Sequence, residues 1–472
     1  VDRQLETDAK QWPPRIVIAA PQGRSGKTIV SLGLGAAFRE RGLVVQPFKK
    51  GPDYIDPSWL TAAAGRDCRN LDAVLMPEEA VLASFARAGQ GADLALVEGA
   101  MGLYDGFDAA GWGSTAHIAR LLGSPVILVV NCSRMTGSIA AMVGGYQHFQ
   151  PEINIDGVIL NNVSGSRHEG KLRAAIAQHC GIPVVGSIPR DESLNITERH
   201  LGLVPFREAA GGSIVERLCH RLKGSLDLDK ILDIARQATA RYVSGVTSPE
   251  RKAAVVRVGI MLDSVFTFYY PENLEALSRA GAELVSIDSL RAQQLPDIDA
   301  LYIGGGFPEV FLPELEANRG LRRDIAQAIE GFLPVYAECA GLMYLCRGIR
   351  WHGRWHEMVG VIPSDVEIGE RPQGHGYVQL ETTADNPLFP GGLTLWGHEF
   401  HHSRLSRPEG VRFAYRVRRG QGIDGQLDGI VYKNILAAYT HLHALGVPQW
   451  AEAFVSLARR ERRRRSVSTV PT

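Results

Sequence analysis

The residues best equipped for chemistry stand together near the start of the chain. Gly23, Ser25 and Gly26 lead into Lys27 and Thr28, between an apolar run at 16–19 and a helical pattern at 29–41. Strand, glycine-rich turn, Lys-Thr and helix is the order a phosphate-binding loop requires. Backbone N–H groups then converge on phosphate oxygens at a helix start. Lys27 would reach the β- and γ-phosphates, and the Thr28 hydroxyl would meet a magnesium ion. Pro21 stands where the common pattern has its first glycine.

Two acidic segments can serve that loop. Lys50-Gly51-Pro52-Asp53-Tyr54-Ile55-Asp56-Pro57 follows the apolar run at 44–49, and its two carboxylates lie three residues apart. Glu98 ends the apolar run at 94–97 and enters Gly99-Ala100-Met101-Gly102-Leu103-Tyr104-Asp105-Gly106. An acid at the end of such a strand is where phosphate-loop enzymes hold magnesium. Asn161, closing the run at 158–160, is a base-recognising amide at a strand end.

The second chemical centre is Cys339, between Val335-Tyr336-Ala337-Glu338 and Ala340-Gly341-Leu342. A thiol on a sharp strand-to-helix turn gains from the helix N-terminus and from nearby N–H groups able to hold an oxyanion. Ala340 and the Gly304-Gly305-Gly306 turn, with Gly305 and Gly306 foremost, are the candidate donors. A base must come from elsewhere. His441 and His443 stand about a hundred residues downstream, a separation compatible with Cys–His catalysis, and spacing alone does not choose between them. His398-Glu399-Phe400-His401-His402 gathers metal-ligand types without the H-E-x-x-H spacing, so zinc is not expected.

The elements that must position these groups alternate strand and helix from residue 15, with further strands at 126–130, 158–160 and 184–186. That rhythm predicts an α/β fold with a mostly parallel sheet. It fades near 244 and restarts at 256. We therefore expect a disordered tail over 1–14, a phosphate-loop domain at 15–243, a linker at 244–254, a second α/β domain at 255–458 and a basic tail at 459–472. A chain of 472 residues exceeds one hydrophobic core. Basic and acidic residues number 51 each, so no bulk charge points to nucleic acid or an anionic membrane. No apolar run approaches the ~20 residues of a membrane span, and residues 1–14 lack a signal-peptide core. The six cysteines form no C-x-x-C pair, which fits a reducing cytoplasm.

In combination these segments resemble the cobyrinic acid a,c-diamide synthase family, amidotransferases that act on acetate side chains of corrin-type macrocycles. The resemblance spans nearly the whole chain. Besides the two acidic segments it rests on Arg199-His200-Leu201-Gly202-Leu203-Val204-Pro205 and Phe268-Tyr269-Tyr270-Pro271-Glu272-Asn273-Leu274. Gly397-His398-Glu399-Phe400-His401 and Tyr439-Thr440-His441-Leu442-His443 complete it. It implies an N-terminal phosphate-loop domain similar to dethiobiotin synthetase and a C-terminal class I glutamine amidotransferase domain. It further implies ATP and L-glutamine as cosubstrates, Mg²⁺, a tetrapyrrole substrate, no nucleic-acid or membrane partner, and allows a homodimer.

By the resemblance Cys339 is the nucleophile and His441, within Tyr-x-His, its base. Lys27 is the phosphate clamp; Thr28, Asp53 and Glu98 contact Mg²⁺; Tyr54, Asp56, Tyr104 and Asp105 face the substrate. Most class I amidotransferases carry a Glu two residues after the catalytic His; His443 stands there, so the acid is absent from its usual place. Arg24, Trp59-Leu60 and Asn131 also depart from the family's usual residues. Related enzymes amidate sirohydrochlorin, nickel-sirohydrochlorin or sirohaem, which leaves the ring open. A phosphate-loop regulatory ATPase and a tetrapyrrole carrier are the readings from other classes.

Overall fold

The computed structural model describes residues 10–194, 196, 198–199, 202–209, 211–243, 252–406, 408 and 410–468. The chain divides into two compact units, Val1–Ser248 and Pro249–Thr472. Among the described residues no helix is long and apolar enough to cross a membrane.

In the first unit the central strands are mostly apolar and buried, as in a parallel sheet with both faces covered. β1 (Arg15–Ala19), β2 (Val45–Lys50), β3 (Arg69–Leu71), β4 (Leu94–Glu98), β5 (Val126–Asn131), β6 (Ile155–Val163) and β7 (Val184–Pro189) lie in the order β3-β2-β4-β1-β5-β6-β7. All neighbours run parallel. β1 is fully buried at the centre and feeds α1 (Lys27–Glu40). β2 and β4 lie side by side, with Lys49 opposite Glu98. The carboxyl ends of β1, β2 and β4 thus meet where this fold class holds ligands.

Residues 10–14, read above as part of a disordered tail, are ordered. Lys10–Gln11 pairs with Tyr242–Val243, and buried Trp12 packs on Phe85 with ring centroids 4.8 Å apart. The sequence hides this because a two-residue strand carries no periodicity. Most of the expected linker, at 244–251, lies outside the described residues, as do His200 and Leu201.

The second unit is built on a mixed sheet. Its strands are β8 (Val256–Met261), β9 (Ala282–Ile287), β10 (Ala300–Ile303), β11 (Val335–Glu338), β12 (Gly374–Thr382), β13 (Thr394–His401), β14 (Arg412–Arg419), β15 (Leu427–Tyr432) and β16 (Ile435–Ala438). They are ordered β9-β8-β10-β11-β16-β15-β14-β12-β13, the first five parallel and the remainder antiparallel. One face is covered by a core that includes Met261, Ile303, Val335 and Ala337, the other by one that includes Tyr302, Tyr336, Ala438 and Trp450. Alternate residues of β11 therefore point into different cores. Residues 459–468 of the basic tail continue the helix Gln449–Ser468, and Arg462 reaches Val255 O at 3.0 Å and Asp299 at 3.3 Å.

Candidate active site

In the first unit, β1, β2 and β4 deliver a compact polar cluster. Lys27 is 7% exposed, and its ammonium donates to Met101 O at 2.6 Å and Gln22 O at 3.3 Å, so it lies across the loop mouth. Burial, then the neighbouring charge of Lys49, lowers it to about 8. The Thr28 hydroxyl donates to Glu98 Oε1 at 2.8 Å and, more weakly, to Asp56 Oδ2 at 3.4 Å. Ser25 Oγ donates to Gln22 O at 3.0 Å.

Lys49, read in the sequence only as the end of a strand, is the hub of this cluster. Its Nζ lies 2.6 Å from Asp56 Oδ2, 2.8 Å from Glu98 Oε1 and 3.7 Å from Asp53 Oδ2. Burial works against this cation, yet the three carboxylates hold it well above the usual lysine range. Burial raises Asp53 and Glu98. For Asp56 the same burial is outweighed by Lys49, and its carboxyl is lowered. Asp56, expected on the substrate face, thus joins Thr28, Asp53 and Glu98. The reason is local: Asp53 Oδ1 caps α2 (Ile55–Ala64) by accepting from Ile55 N and Asp56 N, turning Asp56 inward.

The hard oxygen donors Thr28 and Glu98 suit Mg²⁺, which takes few protein ligands and shares the rest with phosphate. Among the described residues no three His, Cys, Asp or Glu side chains form a metal cage.

Asn161 braces the loop. Its Nδ2 donates to Ser25 O at 2.9 Å and lies 2.3 Å from where a Cβ on Gly26 would stand. Its Oδ1 accepts from Asn162 N. Tyr104 stacks near Tyr146 and donates to Tyr146 O at 2.6 Å; exposed Asp105 accepts from Gly102 N at 2.8 Å. Tyr54 precedes α2 and is half-buried. Gly23 opens onto free space. Trp59 is wholly buried, donates to Val204 O at 2.9 Å and packs edge-on to Phe206. This departure from the family's usual residue belongs to the core and says nothing of the ring.

In the second unit the thiol sits on a strained turn. Cys339 has φ 48° and ψ −101°, a conformation a side-chain-bearing residue rarely keeps without a functional reason. It joins β11 to α3 (Ala340–Leu345) and is tied down by donating from its N–H to Ala438 O at 2.8 Å. His441 follows β16, the strand beside β11, and its ring interacts with the Cys339 thiol. Its Nδ1 lies 3.2 Å from Glu338 Oε2. Burial pushes His441 down, but Cys339 and Glu338 outweigh it and carry the ring up to about 10.

His443 is turned elsewhere. Its Nδ1 accepts from Leu445 N, its Nε2 lies 3.8 Å from Glu272 Oε2, and its ring rests 4.4 Å from Tyr270. A carboxylate does meet His441, but it comes from Glu338, the residue preceding Cys339. Reasoning from downstream spacing missed it.

Several groups hold the segment that carries His441. Fully buried Asp428 accepts from Tyr439 N, Thr440 N, Thr440 Oγ1 and Gly429 N. His398 and His441 exchange backbone hydrogen bonds of 3.0 and 2.8 Å. Gly397 permits that approach, since a Cβ there would meet Thr440 Cγ2 at 2.3 Å and His441 O at 2.7 Å. Gly305 lies equally close to the ring: its Cβ would stand 2.6 Å from His441 Cε1. Gly306 pairs with Phe266, and Ala340 opens α3 directly behind the thiol. The His-Glu cluster is architectural: the His401 ring stacks on Tyr439 at 3.7 Å, and Glu399 accepts from Gln421 N and Gly422 N.

Comparison with known proteins agrees with this division. A family model described as the CobQ/CobB/MinD/ParA nucleotide binding domain matches residues 16–204. Another, the CobB/CobQ-like glutamine amidotransferase domain, matches 257–448. The chain is similar to a cobyrinate a,c-diamide synthase of Magnetococcus marinus, 47% identical over 448 residues, covering 93% of this chain and 96% of the relative. A cobyrinate a,c-diamide synthase of Methanosarcina acetivorans is 42% identical over 480 residues, covering 94% and 95%. One from Archaeoglobus fulgidus is 41% identical over 454 residues, covering 95% and 98%. With a phosphate loop in one unit, a Cys–His pair in the other and relatives this close along nearly the full length, the chain belongs to the cobyrinate a,c-diamide synthase family.

Proposed function

We propose that this protein is an ATP- and glutamine-dependent carbon–nitrogen ligase that converts the a and c acetate carboxylates of cobyrinate to amides. The observation that carries this reading is the 47% identity along nearly the whole chain, accompanied by intact chemistry in both units. Lys27 and the loop N–H groups bind the ATP phosphates. Thr28 and Glu98, with Asp53 and Asp56 beside them, would hold Mg²⁺, which would offset phosphate charge. A substrate carboxylate oxygen attacks the γ-phosphorus, the bond to the β-phosphate oxygen breaks and ADP leaves, so the carboxylate becomes an acyl phosphate whose leaving group is phosphate. Tyr54, Tyr104 and Asp105 border the place where the macrocycle binds.

Cys339 supplies the nitrogen. Its thiolate attacks the side-chain amide of glutamine, His441 protonates the departing nitrogen, and ammonia leaves behind a thioester that water hydrolyses to glutamate. Backbone N–H groups around Gly305, Gly306 and Ala340 face the oxyanion. Ammonia then displaces phosphate from the activated carboxylate. We assign the enzyme to the cytoplasm, with small-molecule substrates, no nucleic-acid or membrane partner, and homodimer assembly allowed.

The test is mass spectrometry of products after separate incubation with cobyrinate, sirohydrochlorin and sirohaem, each with ATP, Mg²⁺ and glutamine. Two amides gained on cobyrinate, with one ATP consumed per amide, are expected. Amidation of sirohydrochlorin or sirohaem but not cobyrinate would overturn the choice of ring. No amidation of any of the three would overturn the function.

A further inference from the structure

Glu338 is a carboxylate with four polar partners, and those partners indicate what it does. Oε2 accepts from the Tyr302 hydroxyl at 3.0 Å and faces His441 Nδ1 at 3.2 Å. Oε1 accepts from the Tyr336 hydroxyl at 3.0 Å and Leu442 N at 3.1 Å. The side chain is almost wholly buried. Four donors is the number an ionised carboxylate needs when it has left water. Tyr302 and Tyr336, also buried, are held well above the usual tyrosine range, foremost by burial and then by Glu338 itself, so both stay protonated and donate.

Strand geometry explains how a residue adjacent to the nucleophile can reach the far side of the base. On β11, Val335 and Ala337 enter one core while Tyr336 enters the other, and Glu338 follows Tyr336 by the period of two. The strained turn at Cys339 then brings the thiol to the other edge of the imidazole. The ring is thus gripped between two consecutive residues of one strand end. Asp428 has a different task, because its bonds go to the backbone and hydroxyl of 439–440 and fix the segment rather than the ring.

We propose that Glu338 is the positioning residue of the glutaminase, holding His441 by Nδ1–H so that Nε2 faces Cys339, and that the site works as a Cys339–His441–Glu338 unit. The carboxylate that most class I amidotransferases place two residues after the histidine here precedes the nucleophile. The inference rests on the amidotransferase reading of the second unit. In the step itself the thiol proton passes to His441 Nε2 and the sulfur attacks the amide carbon. The same proton goes to the leaving nitrogen, which departs as ammonia. Water then attacks the thioester, its proton returning through Nε2 to the sulfur as glutamate leaves. Glu338 accepts the Nδ1–H bond throughout and is not itself protonated.

The test uses the full-length enzyme. Glu338→Gln is nearly isosteric but offers His441 a neutral oxygen and a competing donor. It is expected to lower glutaminase kcat roughly 10²–10⁴-fold with little change in KM and to move the pH profile of Cys339 alkylation by iodoacetamide to higher pH. Glu338→Asp is expected to recover part of the rate. Synthesis from ammonium reports that a variant is folded. A folded Glu338→Gln protein with kcat within about threefold of wild type and an unmoved alkylation profile would overturn the proposal. If that variant does not fold, the wild-type protein answers. With ¹⁵N-labelled histidine, an Nδ1–H resonance at low field is expected, lost in His441→Ala; its absence from the wild-type spectrum overturns the proposal. A wild-type chain that hydrolyses no glutamine would instead overturn the amidotransferase reading, and this inference with it.

Discussion

Remove the Lys49 ammonium and Asp53, Asp56 and Glu98 lose the cation they share. Breaking a buried ion pair from one side typically costs about 3–5 kcal/mol, because the surviving charge has lost both water and partner. Lys49→Met is therefore expected to lower the stability of the protein by an amount of that order in denaturant unfolding. Added Mg²⁺ should recover part of it, since the same oxygens are hard donors. An unchanged unfolding midpoint would show that Lys49 only fills space. His398 makes the opposite case, a buried histidine kept neutral. Burial first, then His441 and His375, lower it from 6.5 to about 3. Between those values the unfolded chain binds a proton that the native chain refuses, so stability falls as pH falls, by up to ~1.4 kcal/mol per unit. His398→Gln should flatten the pH dependence of stability between about pH 6 and 4, read from urea midpoints. An acid limb identical to wild type would count against it.

At the scale of elements, the sequence is legible wherever function depends on local order. The phosphate loop reads from strand, glycines, Lys27 and helix because all its parts lie within one short segment. Cys339 reads from a strand running into small residues. Lys49 and Glu338 do not, because each looks like the polar end of an apolar strand. What gives them meaning is a partner across the sheet: Glu98 beside Lys49, and His441 beside Glu338. Nor does spacing reveal that Asp53 caps α2 and so turns Asp56 inward, or that Trp59 is core. The Gly397 position is a further element-scale dependence, invisible until β13 is seen against 440–441. A methyl group there meets Thr440 Cγ2 and the His441 carbonyl, which must displace the segment carrying the base. Gly397→Ala is expected to depress glutaminase kcat at least tenfold, while ammonium-dependent synthesis by the same protein persists. Equal loss of both activities would mean that the substitution unfolds the protein rather than moving His441.

Across the whole molecule, the proposed reading gives each compact unit the groups for one chemistry. Lys27, Thr28 and the acid cluster lie in the first unit, and Cys339, His441 and Glu338 in the second. Ammonia is the only species that one chemistry must hand to the other, and it is also available from solution. Cys339→Ser should therefore lose glutamine-dependent amidation completely, because the weaker serine hydroxyl has no thiolate to form a thioester. At high ammonium it should amidate at close to the wild-type ammonium-dependent rate. Lys27→Ala should do the reverse. Without the cation that clamps the phosphates, amidation from either nitrogen source should fall by several orders of magnitude, since positioning and charge are most of what phosphoryl transfer asks of a protein. Its basal glutamine hydrolysis should stay measurable. The measurement is a matrix of two variants, two nitrogen sources and two products, glutamate and amide, followed by mass spectrometry. If ammonium fails to rescue a folded Cys339→Ser protein, the cysteine does more than release ammonia. If Lys27→Ala silences both activities in a folded protein, glutamine hydrolysis depends on the phosphate site. Either result would require the two chemistries to be coupled by more than a diffusible intermediate.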